Sequence, residues 1–322
     1  MKNLLTILPL VALCCACSSD IIDAPDKFTI GFSAKVKETR AVADINSLKT
    51  DGFSVWGGFA ATPELFNGRK VTFSNSNWVC EGPNEVWTLN NQYSFLAIHP
   101  VQDASKVTAY ISDEKVYHNF SYNVPTNAGT DLLLATKQLT YDKSEGGSVP
   151  LQFTHALSNI NVKVQKNNAN SEDEVVVRQV SIKNVKKSGT LSAPGIYKTE
   201  TLKWEECVDG FNFTSASNLN VTLPVNSAGR PQMETVISNL CFIPQEIVAN
   251  SVQLSIVYSI KTDGSTDFYT ADAYIPPTTW EFQKIYTYNV TLGAKKNDIL
   301  FGVPEVQDWE RTEQVGGSIM IQ

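Results

Sequence analysis

Phe28-Thr29-Ile30-Gly31-Phe32-Ser33-Ala34-Lys35-Val36 alternates in polarity along its whole length. Phe28, Ile30, Phe32, Ala34 and Val36 fall on one side, with Thr29, Gly31, Ser33 and Lys35 on the other. Successive side chains of a strand point to opposite faces, so a period of two marks a strand with one face buried and one in water. The period recurs in Ile160, Val162 and Val164, in Val252, Leu254, Ile256, Tyr258 and Ile260, and in Tyr286, Tyr288, Val290 and Leu292. Phe53 to Phe59 reads as another strand. Turn pairs punctuate these runs: Asn67-Gly68, Gly146-Gly147, Asp209-Gly210 and Asp263-Gly264. The last sits between two strong strand patterns and predicts a two-residue hairpin. No long segment carries helical periodicity, and no internal repeat stands out. Short strands with regular turn signals predict an all-β protein built as β-sandwiches.

The first residues read differently. Met1-Lys2-Asn3 carries one positive charge, and an apolar run follows from Leu4 to about Ala16, broken by Thr6 and Pro9. It is too short to span a bilayer and has the form of a signal peptide, residues 1–16. Ala16-Cys17 places a small residue directly before a cysteine, as bacterial lipoprotein leaders do, so Cys17 is the expected lipidation site. Cys14 stands at the third position before cleavage, where leucine is usual. Ser18-Ser19-Asp20 opens a polar tether.

Removing the leader leaves about 306 residues, enough for two domains. Lys143 to Ser148 is the most polar break near mid-chain and is the expected boundary, giving units at 41–147 and 148–322. The net charge of −7 and scattered basic residues, with short pairs such as Lys186-Lys187 and Lys295-Lys296, argue against a nucleic-acid partner. Cys80, Cys207 and Cys241 remain after Cys17, an odd number for a disulfide framework. A Cys207–Cys241 pair and buried free thiols both stay open.

Motifs for catalysis are missing. His99, His118 and His155 show no metal-ligand spacing and read as structural or surface histidines. There is no G-x-S-x-G elbow and no phosphate-binding glycine loop. Ser112-Asp113-Glu114-Lys115 matches S-x-x-K but reads as a charged turn. Ser171-Glu172-Asp173-Glu174 lacks the spacing of a calcium loop. We expect no enzyme, cofactor or metal site. Trp56, Trp78, Trp87, Trp204, Trp280 and Trp309 raise a glycan-binding alternative if exposed. Trp56, Trp87 and Trp280 are instead expected in cores.

Several segments together resemble the fimbrillin-like family of Bacteroidales, the subunits of type V pili. Trp87-x5-Tyr93-Ser94-Phe95-Leu96-Ala97-Ile98-His99-Pro100 is similar to its W…Y-x-F-x-A-x-x-P segment. Asp131-Leu132-Leu133-Leu134-Ala135 is similar to D-L-L-x-A. Phe153-Thr154-His155-Ala156-Leu157-Ser158 resembles F-x-H-x-x-S, and Phe242-Ile243-Pro244-Gln245 its I-P-Q turn. Trp280-x5-Tyr286-Thr287-Tyr288-Asn289-Val290 resembles the closing Y-x-Y strand, with Gln283 where glycine usually precedes lysine.

The resemblance implies two tandem transthyretin-like β-sandwich domains. It implies a fimbrial subunit, polymerising with other pilus subunits and contacting a host or bacterial surface ligand. It also implies an assembly route: an outer-membrane lipoprotein precursor, cleavage by an arginine-specific protease after the first strand, and refilling of the groove by a neighbour's C-terminal strand. Thr39-Arg40-Ala41 is placed for that cut, which would remove residues 17–40 with the strand Phe28 to Val36. Burial of its five apolar residues would contribute on the order of 10 kcal/mol gross. About 30 residues follow the strand ending near Leu292, closing with Gly316-Gly317-Ser318-Ile319-Met320-Ile321-Gln322. Ile319, Met320 and Ile321 are the expected donor tail. The alternative, a tail folded back as the domain's own last strand, stays open, and with it an uncut, lipid-anchored pilus anchor.

Overall fold

The computed structural model describes residues 28–36, 43–142, 147–167, 173–193, 195–197, 202–293 and 297–309. Among them the chain runs as β1 (Gly31–Val36), one short helix α1 (Ile45–Asp51), β2 (Phe53–Phe59), β3 (Thr62–Ser74), β4 (Asn77–Cys80), β5 (Gln92–His99), β6 (Val107–Ser112), β7 (Lys115–Asn123) and β8 (Leu133–Thr140). There follow β9 (Ser148–His155), β10 (Ser158–Gln165), β11 (Glu174–Val185), β12 (Ser188–Leu191), β13 (Trp204–Val208), β14 (Phe211–Thr214), β15 (Val221–Thr222) and β16 (Glu234–Phe242). The chain ends with β17 (Gln245–Ile247), β18 (Gln253–Thr262), β19 (Ser265–Tyr274), β20 (Thr278–Trp280), β21 (Lys284–Leu292), β22 (Ile299–Phe301) and β23 (Glu305–Asp308). The fold is all-β, as the period-two runs predict. No helix among the described residues is long and apolar enough to cross a membrane.

A seven-stranded sheet in the order β1-β9-β8-β5-β2-β3-β4 gathers the first half of the chain. Its core is aromatic: Phe32, Phe53, Phe66, Tyr93, Phe95 and Phe153 belong to one buried cluster. β5 is buried on both faces. Tyr93, Phe95 and Ala97 enter that cluster, while Leu96 and Ile98 enter a second, larger one. The second cluster also holds Phe120, Tyr122, Trp204, Phe242, Trp280 and Trp309, so residues from both halves share it.

Three strand pairs among the described residues cross the Lys143–Ser148 break. β9, which begins at Ser148, pairs with β1 and β8 of the first sheet. In the four-stranded sheet β13-β12-β7-β6, β12 pairs with β7 from Leu191↔Phe120 to Ser188↔Asn123.

The second half is a sandwich. One sheet is β16-β10-β21-β22 with β23 also on β21, and the other is β14-β11-β18-β19 with β15 on β11. Val162, Val164, Tyr288 and Val290 of the first meet Val177, Ile182, Ile256 and Tyr258 of the second within the larger cluster. Asp263-Gly264 forms the predicted hairpin: Thr262 pairs with Ser265, and both loop residues have positive φ, 50° and 86°. Asp113-Glu114 likewise turns between Ser112 and Lys115. Asn67-Gly68 is a correction. It lies inside β3, where the register to β2 shifts between Val55↔Arg69 and Gly57↔Phe66, so it is a bulge. A bulge with glycine at positive φ asks for the same residues as a turn, which is why the two look alike in sequence.

The structure also reveals a repeated local device. In Trp87-x5-Tyr93 the Tyr93 hydroxyl accepts from Thr88 N–H at 2.9 Å, and in Trp280-x5-Tyr286 the Tyr286 hydroxyl accepts from Glu281 N–H at 2.9 Å. Each half thus opens a central strand with the same tryptophan–tyrosine corner. Gln283 adopts φ 60°, the conformation that glycine favours, so the turn before Lys284 uses a left-handed residue at this position.

Candidate functional site

β1 lies at the edge of the first sheet, paired on one side, while the residues just before it form backbone bonds on the other. It runs parallel to β9, from Gly31↔Ser148 to Val36↔Phe153. On its other side Ile30 N–H donates to Glu85 O at 2.8 Å, and Trp87 N–H donates to Phe28 O at 3.0 Å. Arg69 braces that second side, with Nη2 on Glu85 Oε1 at 2.5 Å and Nη1 on Pro83 O at 2.9 Å. β9 pairs with β8 only at Thr154 and His155, so among the described strands β1 is the one partner of Ser148–Phe153. Taking β1 away would leave six residues of β9 as a bare edge.

The side chains agree with the alternation, with one exception. Ile30 and Phe32 are buried, and the Phe32 ring meets Phe66 at 5.2 Å and Phe95 at 5.9 Å, both edge to face. Ala34 and Val36 are half-buried against the cluster, while Ser33 and Lys35 face solvent. Phe28 is 42% exposed rather than buried, because pairing with β9 begins three residues later, at Gly31. Two fully buried side chains instead of five lower the gross contribution to roughly 5 kcal/mol. Gaps flank the strand: a cavity of about 180 Å³ beside Phe32, Phe66 and Trp78, and one of about 380 Å³ beside Ser33, Lys35 and Pro150.

A second constellation lies at the end of the described chain. Two resemblance segments that are distant in sequence supply Asp131 and His155, and the fold joins them: His155 Nδ1 is 2.7 Å from Asp131 Oδ2. Trp309 lies flat on the imidazole, with centroids 4.3 Å apart and planes 7° apart. Both His155 and Trp309 are fully buried. A carboxylate–imidazole pair can orient a general base, but here an indole covers the ring and no solvent reaches it. The pair joins structure. No signal in the sequence linked Trp309 to His155.

The remaining predicted positions fall as follows. Cys17, Arg40, Ala41, Ile319, Met320 and Ile321 lie outside the described residues. His99, His118 and His155 are all buried, His99 Nδ1 lying 2.8 Å from Gly52 O and His118 bonding the Tyr197 hydroxyl. Cys80, Cys207 and Cys241 are free thiols, and burial pushes the Cys80 thiol up to about 11. Trp56, Trp204, Trp280 and Trp309 are buried, and Trp78 and Trp87 are half-buried against the first core. No indole therefore stands out as a platform for a sugar. No group of metal-binding side chains occurs among the described residues.

No curated protein matches the chain. Among solved structures, a fimbrial protein from Bacteroides vulgatus shares 17% identity over 87% of this chain and 99% of its own, with a TM-score of 0.59. A candidate cell adhesion protein from Bacteroides ovatus shares 14% identity over 88% of this chain and 99% of its own, with a TM-score of 0.49. At such identity the first likeness speaks to the fold alone. The fimbrillin-like family matches residues 39–309, a span that begins just past β1, contains both tryptophan–tyrosine corners and closes on Trp309. With most of its length inside that match and its fold shared with a fimbrial protein, the chain belongs to the fimbrillin-like family.

Proposed function

We propose that this chain is an adhesive pilus subunit made as a lipoprotein precursor. Cys17 tethers it to the outer membrane, and cleavage between Arg40 and Ala41 removes the tether together with β1. A neighbour's C-terminal strand, carrying Ile319, Met320 and Ile321, then fills the groove, and the assembled subunits stand on the cell surface as a fimbrium. Its work is structural and uses no catalysis.

The observation that carries this reading is how β1 is held. It is an edge strand at the start of the described chain, it anchors by two buried side chains, and it is the main partner of β9. A strand of that kind can leave without dismantling the sheet, and the edge it exposes selects an extended replacement with alternating apolar side chains. Family membership supports a pilus role, and the family match begins at residue 39, beside Arg40. N-terminal sequencing of assembled surface fibres tests the route. Chains starting at Ala41, and loss of fibres in Arg40→Ala, are the expected results; fibres built from chains that still begin at Cys17 would sink it.

A further inference from the structure

We propose that the stack of Trp309 on His155 is a pin that marks where the body of the subunit ends and its exchangeable C-terminal segment begins. The inference rests on the pilus reading for its purpose, though not for its geometry. β23 pairs with β21 from Thr287↔Glu305 to Lys284↔Asp308, yet all four of its residues are exposed. Its side-chain ties are polar: Asn289 Nδ2 donates to Glu305 Oε1 at 2.9 Å, and Lys284 Nζ reaches Asp308 Oδ1 at 2.5 Å. The link before it is exposed too, with Val303 88% accessible. A strand with no buried side chain frays readily. Trp309, the next residue, is fully buried and is the first apolar anchor after Phe301.

The pocket that receives the indole is made by distant parts of the chain. Asp131 precedes β8, and its carboxylate fixes the orientation of His155, at the end of β9. Leu132 O accepts Ala156 N–H at 2.9 Å, which holds the two segments in register. Trp309 N–H donates to Gln283 O at 2.8 Å, and the Gln283 side-chain amide donates to Thr154 Oγ1 at 2.8 Å. The last described residue is thus tied to the strand that also pairs with β1. A segment pulled by a neighbouring subunit would load this stack before it loaded β21–β23 pairing.

Hydrogen exchange on the full chain from Ser18 onward, read as a monomer, tests the pin. Trp309→Ala should speed exchange of the amides in 305–309 by roughly a hundredfold or more, the scale of losing a buried aromatic, while amides of β10 and those of β21 that bond β10 keep their protection. Should Trp309→Ala unfold the chain globally, Trp309→Phe and Trp309→Leu replace it: the ring that can stack should preserve protection at 305–309, and leucine should lose it. Unchanged exchange at 305–309 in Trp309→Ala, or equal protection in the Phe and Leu variants, overturns the proposal. Because the readout needs no fibre, failure of the pin and failure of strand exchange are separate results.

Discussion

Phe32→Ala measures the hold on β1. Phe32 is 6% exposed and sits edge to face against Phe66 and Phe95. Truncating a buried phenylalanine costs about 3–5 kcal/mol, a transfer term plus the cavity it leaves. A cleft of about 180 Å³ opens beside this ring, so the space left by truncation adjoins solvent rather than forming a closed void, which favours the lower end, about 3 kcal/mol. Phe28→Ala is the matched control. Phe28 is 42% exposed and should cost under about 1 kcal/mol. Urea unfolding of the chain from Ser18 onward, followed by tryptophan fluorescence, should show Phe32→Ala with a midpoint about 1 M lower, taking an m-value near 3 kcal/mol/M for a chain of this size. Phe28→Ala should stay within about 0.3 M of the parent. Equal shifts in the two variants would refute the claim that Ile30 and Phe32 anchor the strand.

Two further outcomes follow from buried groups. Burial holds the His118 imidazole down at about 4, below its ordinary 6.5, so the folded chain binds fewer protons than the unfolded chain between those values. Stability should therefore fall as pH drops from about 6.5 toward 4 and level off below, by at most about 3 kcal/mol from this group, and His118→Gln should flatten that part of a pH series of urea midpoints. Gly58→Ala would place a methyl carbon 2.1 Å from Thr62 O and 2.8 Å from Pro63 O, backbone atoms at the start of β3, which pairs with β2. It should cost about 2 kcal/mol or more and lower the thermal midpoint by several degrees, whereas Gly229→Ser, with nothing near its missing Cβ, should show only the smaller penalty of its positive φ.

The legible part of the fold was local. Alternation in Phe28 to Val36, and in the runs through Ile256 and Tyr288, marked strands because side-chain direction follows from neighbouring residues alone. Asp263-Gly264 marked a hairpin because both loop positions need positive φ. The same logic misread Asn67-Gly68, since a bulge inside β3 makes the same local demand. Trp87 and Trp280 each announced a strand, but the shared hydrogen bond that makes them one repeated device appears only when the tyrosine has swung back onto the chain.

Strand content, the buried face of β1 and membership of a pilin-like family were therefore determined by the order of residues itself. Tertiary structure decided which strand β1 would lie against, which sheet would draw strands from both sides of the Lys143–Ser148 break, and which histidine Trp309 would cover. The physical reason is that alternation specifies a face without specifying a partner. Partner and register are set when apolar faces from distant segments compete for the same dry space, and in this chain β9 joins β1 at one end and reaches the Trp309 stack at the other.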